Sequence, residues 1–212
     1  MGVFYLVWFP DNSHQKAIIK YAIFVPMKKV DYIIVGCGLA GIAFCEQLRA
    51  HNQSFLVFED ASQHSSSVAV GLYNPVVLKR FTEVWKAKEL LEMALPTYQI
   101  LEQLLDATLD YKHPVYRRFS SIQEQNQWFM SSDKPKLAYY LSTNILKNSS
   151  AEIHAPYGFG EVLHSGRIDT GELIKRYRRY LVEQELLIEE SFSYDDLIIK
   201  NDSILLLLIH TI

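Results

Sequence analysis

Apolar positions along the chain change period several times, and each change marks an element. Residues 32–35, Tyr-Ile-Ile-Val, form an uninterrupted β-branched run of the kind buried on both faces of a parallel strand. After Gly41 the period becomes helical: Gly41, Phe44, Cys45 and Leu48 share one stripe, with Glu46, Gln47 and Arg49 off it. Residues 54–58, Ser-Phe-Leu-Val-Phe, repeat the strand pattern. Residues 83–109 read as helical, with Val84, Ala87, Leu91 and Ala94 on one stripe, Tyr98, Leu101, Leu104 and Leu105 on another, and Pro96 dividing them. From about 111 to 168 the pattern is irregular and rich in Tyr, Phe, Trp and Ser, with short strands expected at 115–119 and 161–164 and a helix at 122–130. Regular structure resumes at 166–170, where Asp169 is placed to cap a helix with Glu172 three positions on. Leu173, Ile174, Tyr177 and Leu181 supply that helix's apolar stripe. Residues 186–188, running on to Phe192, are the candidate for a third strand.

The junction between the first strand and its helix carries the candidate chemistry. Gly36, Gly38 and Gly41 are spaced G-x-G-x-x-G between a strand and a helix. In that setting Gly36 permits a tight turn, Gly38 lets backbone approach a pyrophosphate, Gly41 lets helix and strand pack closely, and the helix N-terminus faces the phosphate charge. Glu59 ends the second strand, 23 residues after Gly36, and a carboxylate at that tip can accept hydrogen bonds from a ribose diol. NAD and FAD both use this unit. A nicotinamide dehydrogenase usually continues into another helix and strand, whereas here a serine-rich loop follows, His-Ser-Ser-Ser-Val-Ala-Val-Gly-Leu-Tyr-Asn-Pro at residues 64–75.

At this loop the chain resembles the FAD-dependent oxidoreductases of the D-amino-acid oxidase and glycine oxidase superfamily, in which a Ser/Thr-Ala-Gly segment follows the second-strand acid. Residues 65–75 are also similar to the flavin domain of the bifunctional enzymes that mature a modified uridine in tRNA. The resemblance implies an α/β fold: a Rossmann-like FAD-binding domain interrupted by an α+β substrate domain, incomplete. It implies an N-terminal extension at 1–26, the first part of the FAD-binding domain at 27–110 and a partial substrate domain at 111–165. The FAD-binding domain would return at 166–212 with a helix and third strand, truncated. It also implies that Gly38, Leu39 and Ala40 lie on the pyrophosphate, Glu59 on the adenosine ribose with Asp60 beside it, and Ser65 and Ser66 along the pyrophosphate or ribityl chain. Val70, Gly71 and Leu72 would sit under the flavin-proximal end and Phe192 at the adenine side. Val68 and Val70 are bulkier than the alanines common in that loop, and the serines at 65–67 also fit a plain solvated loop.

The reaction implied is oxidation of a C–N bond in an amino acid or secondary amine, an amine on a tRNA base included, with the flavin taking a hydride from the carbon that bears nitrogen. No catalytic residue is readable; Asn74, Lys79 and Arg80 fit either a substrate-facing or a surface position. Two other readings stay open: an NAD(P)-dependent dehydrogenase sharing the strand–helix–strand unit, and a non-catalytic remnant. The resemblance covers about residues 28–200, and the chain ends in an unpatterned apolar run at 203–209. The expectation is a truncated or frame-interrupted member, inactive as this fragment.

Composition narrows the partners. The chain has 212 residues, 49% of them hydrophobic, with 24 acidic against 21 basic groups, so it can bury a sizeable core and carries no general charge for nucleic acid. The Lys-Arg-Tyr-Arg-Arg cluster at 175–179 alternates with core positions and reads as a solvated helix face, leaving a tRNA substrate as the one nucleic-acid partner considered. Cys37 and Cys45 support neither a disulfide framework nor a zinc site, and the seven histidines lack ligand spacing, so no metal and a reducing cytoplasm are expected. The apolar residues 3–9 have no basic segment before them and run into Pro10-Asp11, too short for a membrane span and unlike a signal peptide. Met27-Lys-Lys-Val-Asp reads as the ordinary start of a nucleotide-binding protein.

Overall fold

A computed structural model describes residues 2–7, 28–62, 65–199 and 203–208, with backbone alone for the first and last of these segments. Most of the 1–26 extension, His64 of the serine-rich loop and Ile209 of the final apolar run lie outside the described residues. The elements are β1 (Gly2–Val7), β2 (Tyr32–Val35), α1 (Leu39–Ala50), β3 (Phe55–Phe58), β4 (Leu72–Tyr73), β5 (Val76–Val77) and β6 (Thr82–Glu83). They continue with α2 (Ala87–Leu105), β7 (Asp110–Tyr111), β8 (Val115–Arg118), α3 (Ile122–Ser132), β9 (Leu141–Leu146) and β10 (Phe159–Val162). Last come β11 (Gly166–Ile168), α4 (Thr170–Glu183), β12 (Leu187–Ile188), β13 (Leu197–Ile199) and β14 (Ser203–Leu208). Two compact units result: Met1–Ser67 with Ile174–Ile212, and Val68–Leu173.

In the first unit β12, β3 and β2 form a parallel sheet in that order, with Tyr32 opposite Phe55, Val35 opposite Phe58 and Leu187 opposite Val57. Parallel neighbours need a crossover, and α1 supplies it between β2 and β3. The apolar run of β3 is buried throughout, and Val30, Leu56 and Phe58 make a core with Ile33, Ile188 and Phe192 against it. β2 differs from the expected strand buried on both faces: it lies at the sheet's edge, with Ile34 buried but Tyr32 and Val35 exposed. A second sheet runs β1-β14-β13, parallel in the first pairing and antiparallel in the second.

α1 corrects the expected stripe as well. Ile42, Cys45, Glu46 and Leu48 are its buried residues, while Phe44 is 48% exposed and meets Tyr32 edge-on at 5.9 Å. Glu46 can be buried because both its oxygens are satisfied: the Tyr177 hydroxyl donates to Oε1 at 2.9 Å and the Arg49 guanidinium to Oε2 at 2.6 Å. The partner helix α4 follows its predicted stripe, with Leu173, Tyr177 and Leu181 fully buried and Ile174 half-buried. Asp169 caps it, its Oδ1 accepting from the Glu172 backbone N–H at 3.1 Å. In the basic cluster, Arg178 pairs with Glu189 and Arg179 with Glu183, both at 3.4 Å.

The second unit is built on the antiparallel sheet β8-β10-β9, with a second antiparallel sheet β4-β11-β7 and the β5-β6 pair. Phe81, Phe119, Trp128, Leu141 and Val162 form its core. α3 starts where Ser121 accepts from the Glu124 N–H at 3.2 Å, and the Glu124 carboxylate accepts in return from the Ser120 N–H at 2.7 Å. The helix expected from residue 83 begins only at Ala87, after Lys86 in the left-handed region, and Pro96 does not divide it: α2 is continuous to Leu105. Proline removes one ladder hydrogen bond, that to the Glu92 carbonyl, without forbidding helical φ; the Thr97 hydroxyl beside it donates one turn back to Met93 O at 3.1 Å. Among the described residues no helix is long and apolar enough to cross a membrane, and no group of three His, Cys, Asp or Glu side chains could hold a metal ion.

Candidate functional site

The glycine turn is assembled from three places in the first unit. Gly36 continues the β2 ladder by donating to Phe58 O at 2.8 Å, then turns the chain at φ +96°, where a side chain would be strained. The next N–H, of Cys37, donates to Glu59 Oε2 at 2.5 Å, while Glu59 Oε1 accepts from the Ala61 N–H at 2.8 Å. The second-strand acid is thus only 8% exposed and aimed at the glycine turn by two backbone donors. α1 then begins after the extended Gly38, with no side chain capping it and no acid in its first turn. The positive end of the helix, at Leu39 and Ala40, therefore has no acid in its own first turn to offset it. A Cβ on Gly41 would lie 2.2 Å from Gly36 O, so only glycine lets this helix sit on this turn.

The other residues singled out in the sequence fall into distinct environments. Ser66 approaches the turn, since a Cβ on Gly38 would be 3.1 Å from its Oγ; Ser65 is exposed. Asp60 points away from Glu59's partners: it accepts from the Ser191 hydroxyl and from the Ser62 N–H, at 2.9 Å for the latter. Phe192 packs edge-on against Phe58 at 5.2 Å and Tyr194 at 5.1 Å. Val70, Gly71 and Leu72 belong to the second unit, where they enter β4. There Val70 O accepts from Arg167 Nε at 3.1 Å, Gly71 O from the Ile168 N–H at 3.0 Å, and the Val70 and Leu72 side chains are exposed. Asn74 accepts from the Val76 N–H at 3.0 Å, a turn role, and Lys79 and Arg80 are exposed in the following turn.

Sequence reasoning passed over several participants. The Cys37 N–H and Ser191 act on residues far away in the chain and carry no local signal. Beside the Tyr73 hydroxyl, Asp110 accepts its proton at 2.8 Å and Lys112 donates to its oxygen at 2.8 Å, a trio brought together by β4, β11 and β7.

Electrostatics divides these groups into inert and responsive ones. Burial pushes the Cys37 thiol up to about 12, with the Glu59 carboxylate adding to it, and burial does the same to Cys45. Neither is a nucleophile at neutral pH. Burial also raises the Tyr177 phenol, which stays a donor to Glu46. The Ser191 hydroxyl, followed by Ser62, holds Asp60 down at about 2. Because its folded value is depressed, the stability Asp60 contributes is complete above the unfolded value of about 3.9 and is lost as pH falls through its folded value. Ser191→Ala is expected to return the Asp60 titration toward the ordinary carboxylate range in a carbon-detected NMR titration; an unmoved titration would show that Ser191 does not hold it.

The fold is of the mixed α/β kind found in amino acid oxidases and deaminases. No protein-family model matches the chain. Among solved structures it is similar to glycine oxidase from Bacillus cereus, at 17% identity and a TM-score of 0.57 over 86% of this chain and 55% of that one. It is similar to L-amino acid deaminase from Proteus vulgaris, at 10% identity and 0.55 over 86% and 47%, and to NikD, an unusual amino acid oxidase essential for nikkomycin biosynthesis, at 13% and 0.53 over 86% and 51%. At these identities the likeness is one of fold, and the chain spans about half the length of the structures it matches.

Proposed function

We propose that the first unit holds the adenosine and pyrophosphate of FAD, and that the protein belongs to an FAD-dependent oxidoreductase acting on a C–N bond of an amino acid or secondary amine, a tRNA-base amine included. The observation that carries this is the joining of an uncapped α1 N-terminus to a buried Glu59 through the Cys37 N–H. The site fits the group: the bare Gly38 Cα and the first α1 N–H groups offer a pyrophosphate donors without a competing side chain. Glu59 receives one backbone donor on each oxygen, which leaves lone pairs in a fixed direction for a ribose diol. Ser66 stands where it can add a hydroxyl, Asp60 braces the chain through Ser62 and Ser191, and Phe192 supplies an apolar wall for the adenine. Val70, Gly71 and Leu72 are assigned to the flavin-proximal end on the resemblance of their loop. When bound, the flavin supplies the acceptor for the hydride. The residues of this chain bind and orient it; no proton transfer is assigned to any of them.

The test is titration with FAD and, separately, NAD. The expected result is FAD binding that ADP displaces, weakened roughly 10- to 100-fold by Gly38→Val and by Glu59→Gln, the loss of one or two charge-assisted hydrogen bonds. Preference for NAD reassigns the cofactor, and undiminished FAD affinity in Gly38→Val removes the phosphate-loop assignment.

A further inference from the structure

The second unit contains an open cavity of about 1260 Å³, bordered by the segment leading into α2, the first turns of that helix, the turn at 135–140 and His164. Two of its lining residues, Lys86 at φ +51° and His164 at φ +56°, hold left-handed backbone that L side chains adopt at a cost. Its aromatic wall is unusually open: Trp85 is 74% exposed and Tyr139 59%, the latter stacked in parallel on His164 at 4.0 Å. Tyr140, which also lines the cavity, is only 3% exposed, yet its hydroxyl has no hydrogen-bond partner among the described residues. Glu83, Glu89 and Glu92 line the same cavity as Tyr140, and burial, followed by the neighbouring Glu83, Tyr139, Glu92 and Glu89, pushes the phenol's titration up. Of those carboxylates Glu92 pairs with Lys88 at 3.8 Å, whereas Glu83 and Glu89 form no ion pair among the described residues. Lys86 lies over the Trp85 ring at 5.0 Å, which leaves Lys136 as the cavity's one uncommitted cation among the described residues.

The geometry points to a binding site for a small organic amine with an aromatic or otherwise apolar body: its ammonium is held by Glu83, Glu89 and the Tyr140 hydroxyl, and its body lies against Trp85 and Tyr139. The chemistry follows from what is left unsatisfied. A hydroxyl that no protein group has claimed is free to accept an N–H donor, two unpaired carboxylates lining the same cavity favour a cation, and exposed aromatic faces take both apolar carbon and positive charge. The occupied Trp85 face demonstrates the last point with the protein's own Lys86. The inference concerns binding alone and does not rest on the flavin reading.

Isothermal titration of the full chain, without added flavin, with phenethylamine and with the isosteric alcohol phenylethanol tests it. The amine is expected to bind at least roughly tenfold more tightly than the alcohol, the worth of one charge-assisted bond. The double variant Glu83→Gln, Glu89→Gln and the single variant Tyr140→Phe are each expected to lose a similar factor while melting like the parent. Equal affinity for the alcohol, no amine binding by the parent, or undiminished amine affinity in the double variant overturns the proposal. Since no flavin is present, failure of the FAD titration leaves this result standing.

Discussion

Trp128→Ala is expected to destabilise the protein by about 3 to 5 kcal/mol, the range for deleting a fully buried aromatic side chain. Trp128 is 0% exposed and stands between Phe81 and Phe119, each edge-on with ring centroids 5.6 Å away. Its indole N–H donates to Ser142 O at 2.8 Å, tying α3 to β9. The strand beneath has no room to relax into the gap by an existing side chain, because the position facing the indole is Gly160, where a Cβ would already lie 2.6 Å from the ring. Truncation therefore leaves both a void and a carbonyl without its donor. Urea unfolding monitored by circular dichroism measures the loss, and a change below about 1 kcal/mol would show that the aromatic cluster is not close-packed.

Gly41→Ala is the second large effect, and the smallness of the substitution makes it a sharp test. The first carbon of any side chain would stand 2.2 Å from the Gly36 carbonyl oxygen and 3.3 Å from its carbon, and both atoms are backbone that cannot rotate away. α1 must lift off the turn, which costs about 1 to 3 kcal/mol as an overpacking defect. It also disturbs the Cys37 N–H to Glu59 contact at the other side of the turn. A lowered melting temperature together with loss of measurable FAD binding is expected. A variant that melts like the parent would mean that helix and strand do not approach as closely as described.

Local physics made much of this architecture legible from sequence. The apolar run of β3, the Asp169 cap with the Leu173, Tyr177 and Leu181 stripe of α4, and the span of α3 all rest on contacts within a few residues of one another, so composition and spacing suffice. The same holds for Gly36 and Gly41 of the glycine turn, where the left-handed backbone of the first and the close packing of the second exclude a side chain. β9 was not legible, since Leu141–Leu146 carries polar residues in its middle and becomes a strand only by pairing with β10. Pro96 misled because a proline that usually ends a helix removes only one ladder hydrogen bond and has a φ that suits a helix, so a long helix can run through it.

By itself, then, the sequence determined where strand, turn and helix follow one another around Gly36 to Glu59, because dihedral preference and side-chain period are properties of short segments. Tertiary structure alone decided the β12-β3-β2 order, the exposed edge position of β2, the burial of Glu46 under Tyr177 and Arg49, and the reach of Glu59 back to the Cys37 N–H. It also decided the convergence of Glu83, Glu89 and Tyr140 on one cavity. These depend on pairing groups distant in the chain: whether a carboxylate can be buried, or a hydroxyl left waiting for a donor, is fixed by which neighbours the fold brings to it and not by the residues beside it in sequence.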